Sequence, residues 1–220
     1  MRKTILGLIA VTVLFSACGN KTSESMNKAN EREPAPVNEE LRTEGRMVPL
    51  RFLQLAEKRF SVRSYADTPV EQWKIDSILR AAQLAPTAKN LQPQKIYVLK
   101  SKEAINKINK ITSRAYQAPV VFVVCYDDNV AWTNPLDDSA SSGTMDATIV
   151  GTHMMLEATE QGLGSCWIKW FNPKEVADAF GIPENEHPVF LLDVGYPANG
   201  VSPSKMHYEK KEIKDFVIEL

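Results

Sequence analysis

Arginine and serine side chains alternate in the segment Arg-Phe-Ser-Val-Arg at positions 59–63. If the chain is extended there, Arg59, Ser61 and Arg63 point to one side, while Phe60 and Val62 point to the other. A guanidinium group offers paired planar donors and a charge that does not titrate, which suits a phosphate group. The segment therefore predicts an anion site, and the alternative is a solvated basic loop.

A second candidate segment spans positions 85–93, between a predicted helix and a predicted strand, and is rich in small and amide residues. The amides of Asn90 and Gln92 both donate and accept hydrogen bonds, so they could bind the carbonyl and NH edge of a flat heterocycle. An ordinary helix–strand connection is the alternative.

The third segment, at positions 162–168, reads Gly-Leu-Gly-Ser-Cys-Trp-Ile. Its glycines permit a tight turn and close approach of the backbone to a ligand, and the pair Trp167 and Ile168 suggests a wall for an aromatic ring. The alternative is a glycine that ends a helix before a strand. Lys205 and His207 add a small basic point near the C-terminus, although by themselves they are ordinary surface residues.

Apolar spacing and capping residues predict the elements that must position these segments. Helices alternate with few strands, so the fold class is mixed α and β. The C-terminal tail fits either a helix or an extended arm. The predicted helices are one containing Leu50, Leu53 and Ala56 with Pro49 in its first turn, one capped by Thr68 and ending before Pro86, one over 101–111, one over 144–161, and one from Asn172 to Gly181; the predicted strands are 94–100, 119–126 and 188–196.

Length and composition describe a globular protein with one sizeable domain. The chain has 220 residues, of which 44% are apolar and 24% are charged, which excludes a disordered or collagen-like protein. The formal net charge of −1 argues against a nucleic-acid partner, which would call for a basic surface. The sequence contains no CxxC, HExxH or Walker motif, so we expect neither a zinc site nor a P-loop.

The N-terminus has the pattern of a secretory signal: Arg2 and Lys3 precede an apolar run over 5–15 and then Ser16, Ala17 and Cys18. The run is too short to span a membrane. It resembles the lipobox of bacterial lipoproteins, which implies lipidation of Cys18 and a place in the cell envelope. A plain cleaved signal is the alternative. The predicted organisation is a signal peptide over 1–17, a flexible tether over 18–45 and a folded domain over 46–220.

The remaining cysteines, Cys125 and Cys166, would then lie in an oxidising compartment. They could form a disulfide. Cys125 lies inside an apolar strand, however, and this favours a buried free thiol.

Taken together and in this order, the segments resemble the FMN-dependent nitroreductase family over roughly residues 47–220. The family's pattern is matched by 59–63 with Tyr65 after it, by 85–93, by Ala118 and Pro119 before a strand, by Asp146 in a long helix, by 162–168, and by 195–197 with Lys205.

The resemblance implies an α+β fold with a central mixed or antiparallel sheet flanked by helices, and an interlocked homodimer with exchanged arms. It implies FMN at the subunit interface, with Arg59, Ser61 and Arg63 at the phosphate and pyrimidine edge and Lys205 at the phosphate. The partner subunit would supply Pro86, Thr87 and Asn90, and 166–168 would lie along one ring face. The implied FMN-binding residues are Arg59, Phe60, Ser61, Arg63, Pro86, Thr87, Asn90, Cys166, Trp167, Ile168, Lys205 and His207.

The chain departs from the family's pattern at three places. His207 stands where an arginine is common, so this phosphate contact would depend on pH. Lys169 and Trp170 replace an acidic residue and a glycine found in some members. Ala88 and Lys89 replace small polar residues, so the substrate preference does not carry over.

The implied function is an FMN-dependent oxidoreductase that passes electrons from a reduced donor, NADH or NADPH, to a nitro, quinone or similar electron-poor acceptor by a ping-pong mechanism. No catalytic side chain is assigned, because the flavin carries the chemistry. A non-catalytic envelope lipoprotein that binds a flavin or another ligand is the alternative. Within the enzyme class, reductive dehalogenation would need a lid, for which the long loop over 127–142 with Trp132 and Asp137 is the candidate. An envelope location conflicts with NADH or NADPH as donor, since neither is expected outside the cytoplasm.

Overall fold

The computed structural model describes residues 52–220. The predicted signal peptide, the lipidation at Cys18, the tether over 18–45 and the start of the first predicted helix at Pro49 and Leu50 lie outside the described residues.

Six helices and six strands make up the described part of the chain, with three single-turn helices at Ala88–Asn90, Ser113–Ala115 and Ile213–Asp215. None of the helices between residues 52 and 220 combines the length and the apolar character needed to cross a membrane. The helices are α1 Phe52–Lys58, α2 Gln72–Leu84, α3 Lys102–Ile111, α4 Gly143–Glu160, α5 Pro173–Phe180 and α6 Lys205–Tyr208; the strands are β1 Gln94–Leu99, β2 Val120–Asp127, β3 Thr133–Asn134, β4 Asp137–Ser141, β5 Gly164–Ile168 and β6 Glu186–Gly195.

Four strands form an antiparallel sheet in the order β1-β2-β6-β5. Alternate residues of β2 and β6 enter two separate apolar clusters. One cluster joins the sheet to α2 and α4, and the other joins it to α3 and α5. Since both faces of the sheet are covered, the run of β-branched residues in β2 is buried on both sides, as its composition predicts. The expected α+β fold with a helix-flanked sheet is confirmed.

Two segments with the same capping signature behave differently. Asn172 caps α5, because its side chain accepts hydrogen bonds from the N–H groups of Lys174 and Glu175. The prediction that Thr68 caps α2 is wrong. The backbone stays extended until Glu71, whose side chain accepts a hydrogen bond from the Tyr196 hydroxyl, and the helix begins only at Gln72.

Three further expectations are settled by the described residues. The segment predicted as a loop over 127–142 contains the two-stranded ribbon of β3 and β4, so it is not a structureless loop. The expected helix through Ile213, Phe216, Val217 and Leu220 is not formed, because the tail contains only the single turn at Ile213–Asp215, and the exposed residues after it have no regular structure. Cys125 and Cys166 are buried free thiols on β2 and β5, which are separated by β6, so the interpretation of Cys125 as a core thiol is confirmed.

Candidate functional site

The segment over 59–66 covers the open edge of β5. The N–H of Val62 donates to the carbonyl of Ser165 over 2.9 Å, and Ser61 forms a parallel bridge with Ser165. The Val62 side chain is fully buried. It packs against Gly164 so closely that a Cβ at Gly164 would lie 2.5 Å from a Val62 methyl group. This contact holds the Val62 side chain inward. The side chains at the positions on either side of Val62 are therefore left to face a ligand.

Those alternate positions bring Arg59, Ser61 and Arg63 to Cys166 of β5. Burial raises the pKa of the Cys166 thiol to about 11, although Arg63, a hydrogen bond with the Ser61 side chain and Arg59 each favour the thiolate. Arg63 also donates to the carbonyl of Ser61 over 3.4 Å. The three residues at the predicted alternate positions thus all act on the same thiol, and together with Cys166 they form what we call the basic edge.

Helix α6 lies beside the start of the same segment. The His207 ring nitrogen Nε2 lies 3.2 Å from the carbonyl of Glu57, at the end of α1, and the His207 ring meets Phe60 edge-on with centroids 6.4 Å apart. Lys205 is exposed at the first position of this four-residue helix. The structure thus brings His207, and with it the helix that carries Lys205, to the part of the chain that leads into the basic edge.

The side chains of Trp167 and Ile168 belong to the core. The Trp167 ring stacks on Phe190 with centroids 3.5 Å apart, on the face of the sheet that α4 covers. Ile168 lies in the cluster on the opposite face and is 4% exposed. The two side chains therefore point to opposite faces of the sheet and do not form one shared wall. Their predicted contact with the ring of a ligand stays a prediction.

The loop with Pro86, Thr87 and Asn90 is built elsewhere in the chain. The N–H of Ala88 donates to the Asp146 carboxylate over 2.9 Å, and Ser142 donates to the other oxygen of Asp146 over 2.8 Å. Lys89 lies over the Trp132 ring at 5.8 Å. These contacts attach the loop to the beginning of α4, so within one chain the structure does not bring Pro86, Thr87 and Asn90 to the basic edge.

The same loop holds three residues other than glycine in the left-handed region: Lys89, Asn90 and Gln92, with φ of 50°, 55° and 52°. Each such residue costs roughly 1 kcal/mol or more, and conformations of this kind concentrate at functional sites. Thr87 stabilises the turn, because its hydroxyl accepts a hydrogen bond from the N–H of Gln92. The backbone strain marks this loop as a second candidate surface.

One residue of the site is absent from the sequence-based prediction: Asp193 on β6. It pairs directly with Cys166 across the β5–β6 ladder, is completely buried, and neither carboxylate oxygen has a hydrogen-bond partner among the described residues. Burial holds its pKa well above the usual value. The signal that could have found it is a single acidic residue inside the apolar run over 189–195.

No group of three or more His, Cys, Asp or Glu residues within 52–220 could hold a metal ion.

Comparison with known proteins gives a consistent result. A nitroreductase family protein from Clostridium difficile has a crystal structure that is 38% identical, with a TM-score of 0.72, over 77% of this chain and 98% of its own. The FMN reductase [NAD(P)H] of Bacillus subtilis is 32% identical over 157 residues, 63% of each chain. A protein of the same fold from Exiguobacterium sibiricum, crystallised in complex with FMN, is 20% identical with a TM-score of 0.68, over 79% of this chain and 99% of its own. The model of the Nitroreductase family matches residues 56–116 and 110–196. The chain belongs to the nitroreductase family.

Proposed function

We propose that the chain is an FMN-dependent oxidoreductase that takes electrons from NADH or NADPH and passes them to a small electron-poor acceptor such as a nitro compound or a quinone. Donor and acceptor would occupy the same place in turn, which is a ping-pong order. The observation that carries the proposal is that Arg59, Ser61 and Arg63, at alternate positions of the segment beside β5, all act on Cys166. The FMN reductase [NAD(P)H] of Bacillus subtilis supports FMN as cofactor and NADH or NADPH as donor, and the Exiguobacterium sibiricum protein, crystallised with FMN, supports the cofactor.

The basic edge fits the chemistry of FMN. Two guanidinium groups and a hydroxyl provide charged and neutral donors for the phosphate and for the polar edge of the ring system. His207 and Lys205 add donors on the neighbouring helix. Gly164 keeps the segment close against β5, because any larger residue would displace Val62. The donor set and the close backbone packing thus suit an anionic group with a flat body.

When bound, FMN supplies the capacity to accept and release electrons. The chain's own residues bind and orient it. Arg59 and Arg63 place fixed positive charge where negative charge develops, which is electrostatic stabilisation of the kind that needs no rearrangement of solvent. Cys166 stays a neutral thiol at physiological pH, since burial raises its pKa to about 11, and it therefore presents no reactive nucleophile to the substrate.

We propose that the site is completed by a second copy of the chain. The loop with Pro86, Thr87 and Asn90 lies at the beginning of α4, away from the basic edge of the same chain. Apolar side chains are exposed on α1 and in the tail, where Leu53 is 72% exposed and Ile218 is 85% exposed. An exposed apolar surface of this kind indicates a protein interface. A homodimer would cover it and bring the loop of one chain to the basic edge of the other.

We further propose that Cys18 is lipidated and that the domain faces the cell envelope, as the pattern of residues 1–18 indicates. Neither NADH nor NADPH is expected in this location, so another reductant would take their place there, while NADH or NADPH would serve as donor to the purified protein. Radiolabelled palmitate incorporated into the native chain and not into Cys18→Ser would support the anchor. Equal labelling of both chains, or of neither, would contradict it.

The function is tested by absorbance spectroscopy on the full chain purified with its cofactor. We expect a flavin spectrum that NADH or NADPH bleaches and that a nitroaromatic compound or a quinone restores, with parallel double-reciprocal plots in steady-state kinetics. A flavin that binds without turnover, even after chemical reduction and addition of acceptor, would instead indicate a binding protein. A protein that stays colourless in excess FMN would contradict the proposal altogether.

A further inference from the structure

Asp193 is a buried acid whose carboxyl group forms no ion pair with any residue within 52–220. Its side chain has no exposed surface, and both oxygens lack a hydrogen-bond partner among the described residues. A buried carboxylate without a partner is very costly, and such a group keeps its proton instead. Unpartnered buried polar groups are rare in folded proteins and call for an explanation. Asp193 therefore stands out within an otherwise apolar strand.

The groups that face Asp193 come from three elements. On β5 the cross-strand neighbour is Cys166, and on β2 it is the apolar Val121. From the covering segment, Tyr65 lies close enough to interact with both Asp193 and Arg63. The Tyr65 hydroxyl donates to the carbonyl oxygens of Val62 and Asp193, at 3.0 Å and 3.5 Å, rather than to the carboxyl group.

The remaining titratable groups around this cluster are Tyr116, which interacts with Tyr65, and the two guanidinium groups that act on Cys166. Cross-strand neighbours have Cβ atoms roughly 4.5–5.5 Å apart. The carboxyl group of Asp193 thus lies next to Cys166, the residue of the basic edge on which both guanidinium groups act. Whether Asp193 carries a charge therefore changes the field that an anion meets there.

We propose that Asp193 is the residue that links cofactor binding to proton binding: it carries a proton while FMN occupies the basic edge, and its ionisation weakens FMN binding. The inference rests on the proposed function of the basic edge. A negative charge behind Cys166 would offset one of the two guanidinium charges and repel the phosphate. By linkage, bound FMN must raise the proton affinity of Asp193 by the same factor by which ionised Asp193 lowers the affinity for FMN.

The first test measures the proton itself. The infrared carbonyl band of a protonated carboxyl group is followed against pH in the full chain, free and loaded with FMN, as a difference from Asp193→Asn. We expect the band at pH 5 and a midpoint of its loss that lies at higher pH in the loaded protein. No band at pH 5, equal midpoints, or a band that persists in both forms until alkaline unfolding would each overturn the proposal.

The second test measures FMN affinity against pH in the native chain, in Asp193→Asn and in Asp193→Leu. Either substitution removes the charge, and neither breaks a hydrogen bond of the carboxyl group. The ratio of the native Kd to the variant Kd should be near one at low pH and exceed about fivefold above the free-protein midpoint. The titration of the FMN phosphate is common to all chains, so it cancels in this ratio.

Asp178→Asn is the matched control, because it removes one exposed carboxylate from α5, which pairs with Lys174 on the same helix. Its ratio should stay near one at every pH. A flat ratio for both Asp193 variants, or an equal rise for Asp178→Asn, would overturn the inference and leave the proposed function standing. If the native chain binds no FMN at any pH, the proposed function fails, and the infrared band of the free protein still decides whether Asp193 holds a proton.

Discussion

In the segment that carries the basic edge, the two apolar residues Phe60 and Val62 determine how the polar side chains beside them are directed. Val62 is fully buried against Gly164, and Phe60 meets the ring of His207. Because these side chains are fixed, Arg59, Ser61 and Arg63 are directed toward Cys166, where the Ser61 side chain forms a hydrogen bond with the thiol and Arg63 donates to the carbonyl of Ser61. Ligand binding at the basic edge thus depends on the packing of Phe60 and Val62.

Asp193 makes a prediction about stability that is independent of any ligand. Its pKa is raised in the folded chain, so between about pH 4 and that raised pKa the unfolded chain loses a proton that the folded chain keeps. Stability should therefore fall as pH rises through this window, by up to ~1.4 kcal/mol per unit. Asp193→Asn should remove this fall and be more stable than the native chain at neutral pH.

Urea unfolding at several pH values checks this expectation, with Asp178→Asn as the control of equal charge change. If the unfolding free energies of the native chain and of Asp193→Asn change with pH in parallel, the Asp193 carboxyl group is already ionised in the folded chain.

At the scale of elements, two similar signatures give a paired prediction. Asn172 accepts hydrogen bonds from two backbone N–H groups at the start of α5, whereas Thr68 lies four residues before α2. Asn172→Ala should therefore lower the free energy of unfolding by about 1 kcal/mol, and Thr68→Ala should change it by less than about 0.5 kcal/mol. Thermal unfolding of both variants distinguishes them, and an equal loss in both would mean that Thr68 contributes a cap after all.

This pair also shows which features of the fold can be predicted from the sequence. Caps at Asn172 and Gly181 and the ends of β1 and α3 follow from local residues, and the prediction places them within a residue or two. The start of α2 cannot be predicted in this way, because a distant residue, Tyr196, holds Glu71 in extended backbone. The ribbon of β3 and β4 has a single apolar residue, Ala140, and no apolar alternation, so no sequence pattern reveals it.

The residues of the candidate site also differ in whether the sequence alone predicts them. The alternation over 59–63 is a local property, and it can be predicted from residue types alone. The burial of Asp193 without a partner is a tertiary property, because it depends on Val121 and Cys166 on the two neighbouring strands.

The contact between Gly164 and Val62 predicts how strand β5 and the covering segment depend on each other. Gly164→Ala would place a Cβ 2.5 Å from a Val62 methyl group, so the segment must move outward. We expect a loss of roughly 1–3 kcal/mol in stability and weaker FMN binding. Val62→Ala in the same chain should restore part of both, since it removes the atoms that clash.

Gly162→Ala is the control. Gly162 has a φ of +74° with open space around it, so alanine there strains the backbone and displaces nothing at the basic edge. Stability should fall while the Kd for FMN stays the same. Equal effects of the two glycine variants on FMN binding would mean that packing against Val62 does not set the position of the segment.

At the scale of the whole molecule, the two candidate surfaces lie apart in one chain. If a homodimer joins them, a chain with Arg59→Ala and Arg63→Ala and a chain with Thr87→Ala and Asn90→Ala should each fail to retain FMN. Their mixture, refolded together, should recover binding, because a mixed dimer contains one site built entirely from native residues. About a quarter of the sites should recover in an equal mixture with random pairing.

Flavin content per chain and sedimentation velocity measure this recovery, and each double variant refolded alone is the control. A mixture that binds no more FMN than its components would place both surfaces in separate sites and contradict the shared-site arrangement.

The central claim, that the basic edge holds FMN, is tested most directly by titrating the full chain with FMN and following the quenching of its fluorescence. Hydrogen bonds to a charged group contribute about 1.5–3 kcal/mol each, so Arg59→Ala should weaken binding by roughly 10-fold to 100-fold. Arg80→Ala removes an exposed arginine on α2 whose side chain donates to Gln83, and it should leave the affinity unchanged. An Arg59→Ala chain that binds FMN as tightly as the native chain would contradict the account.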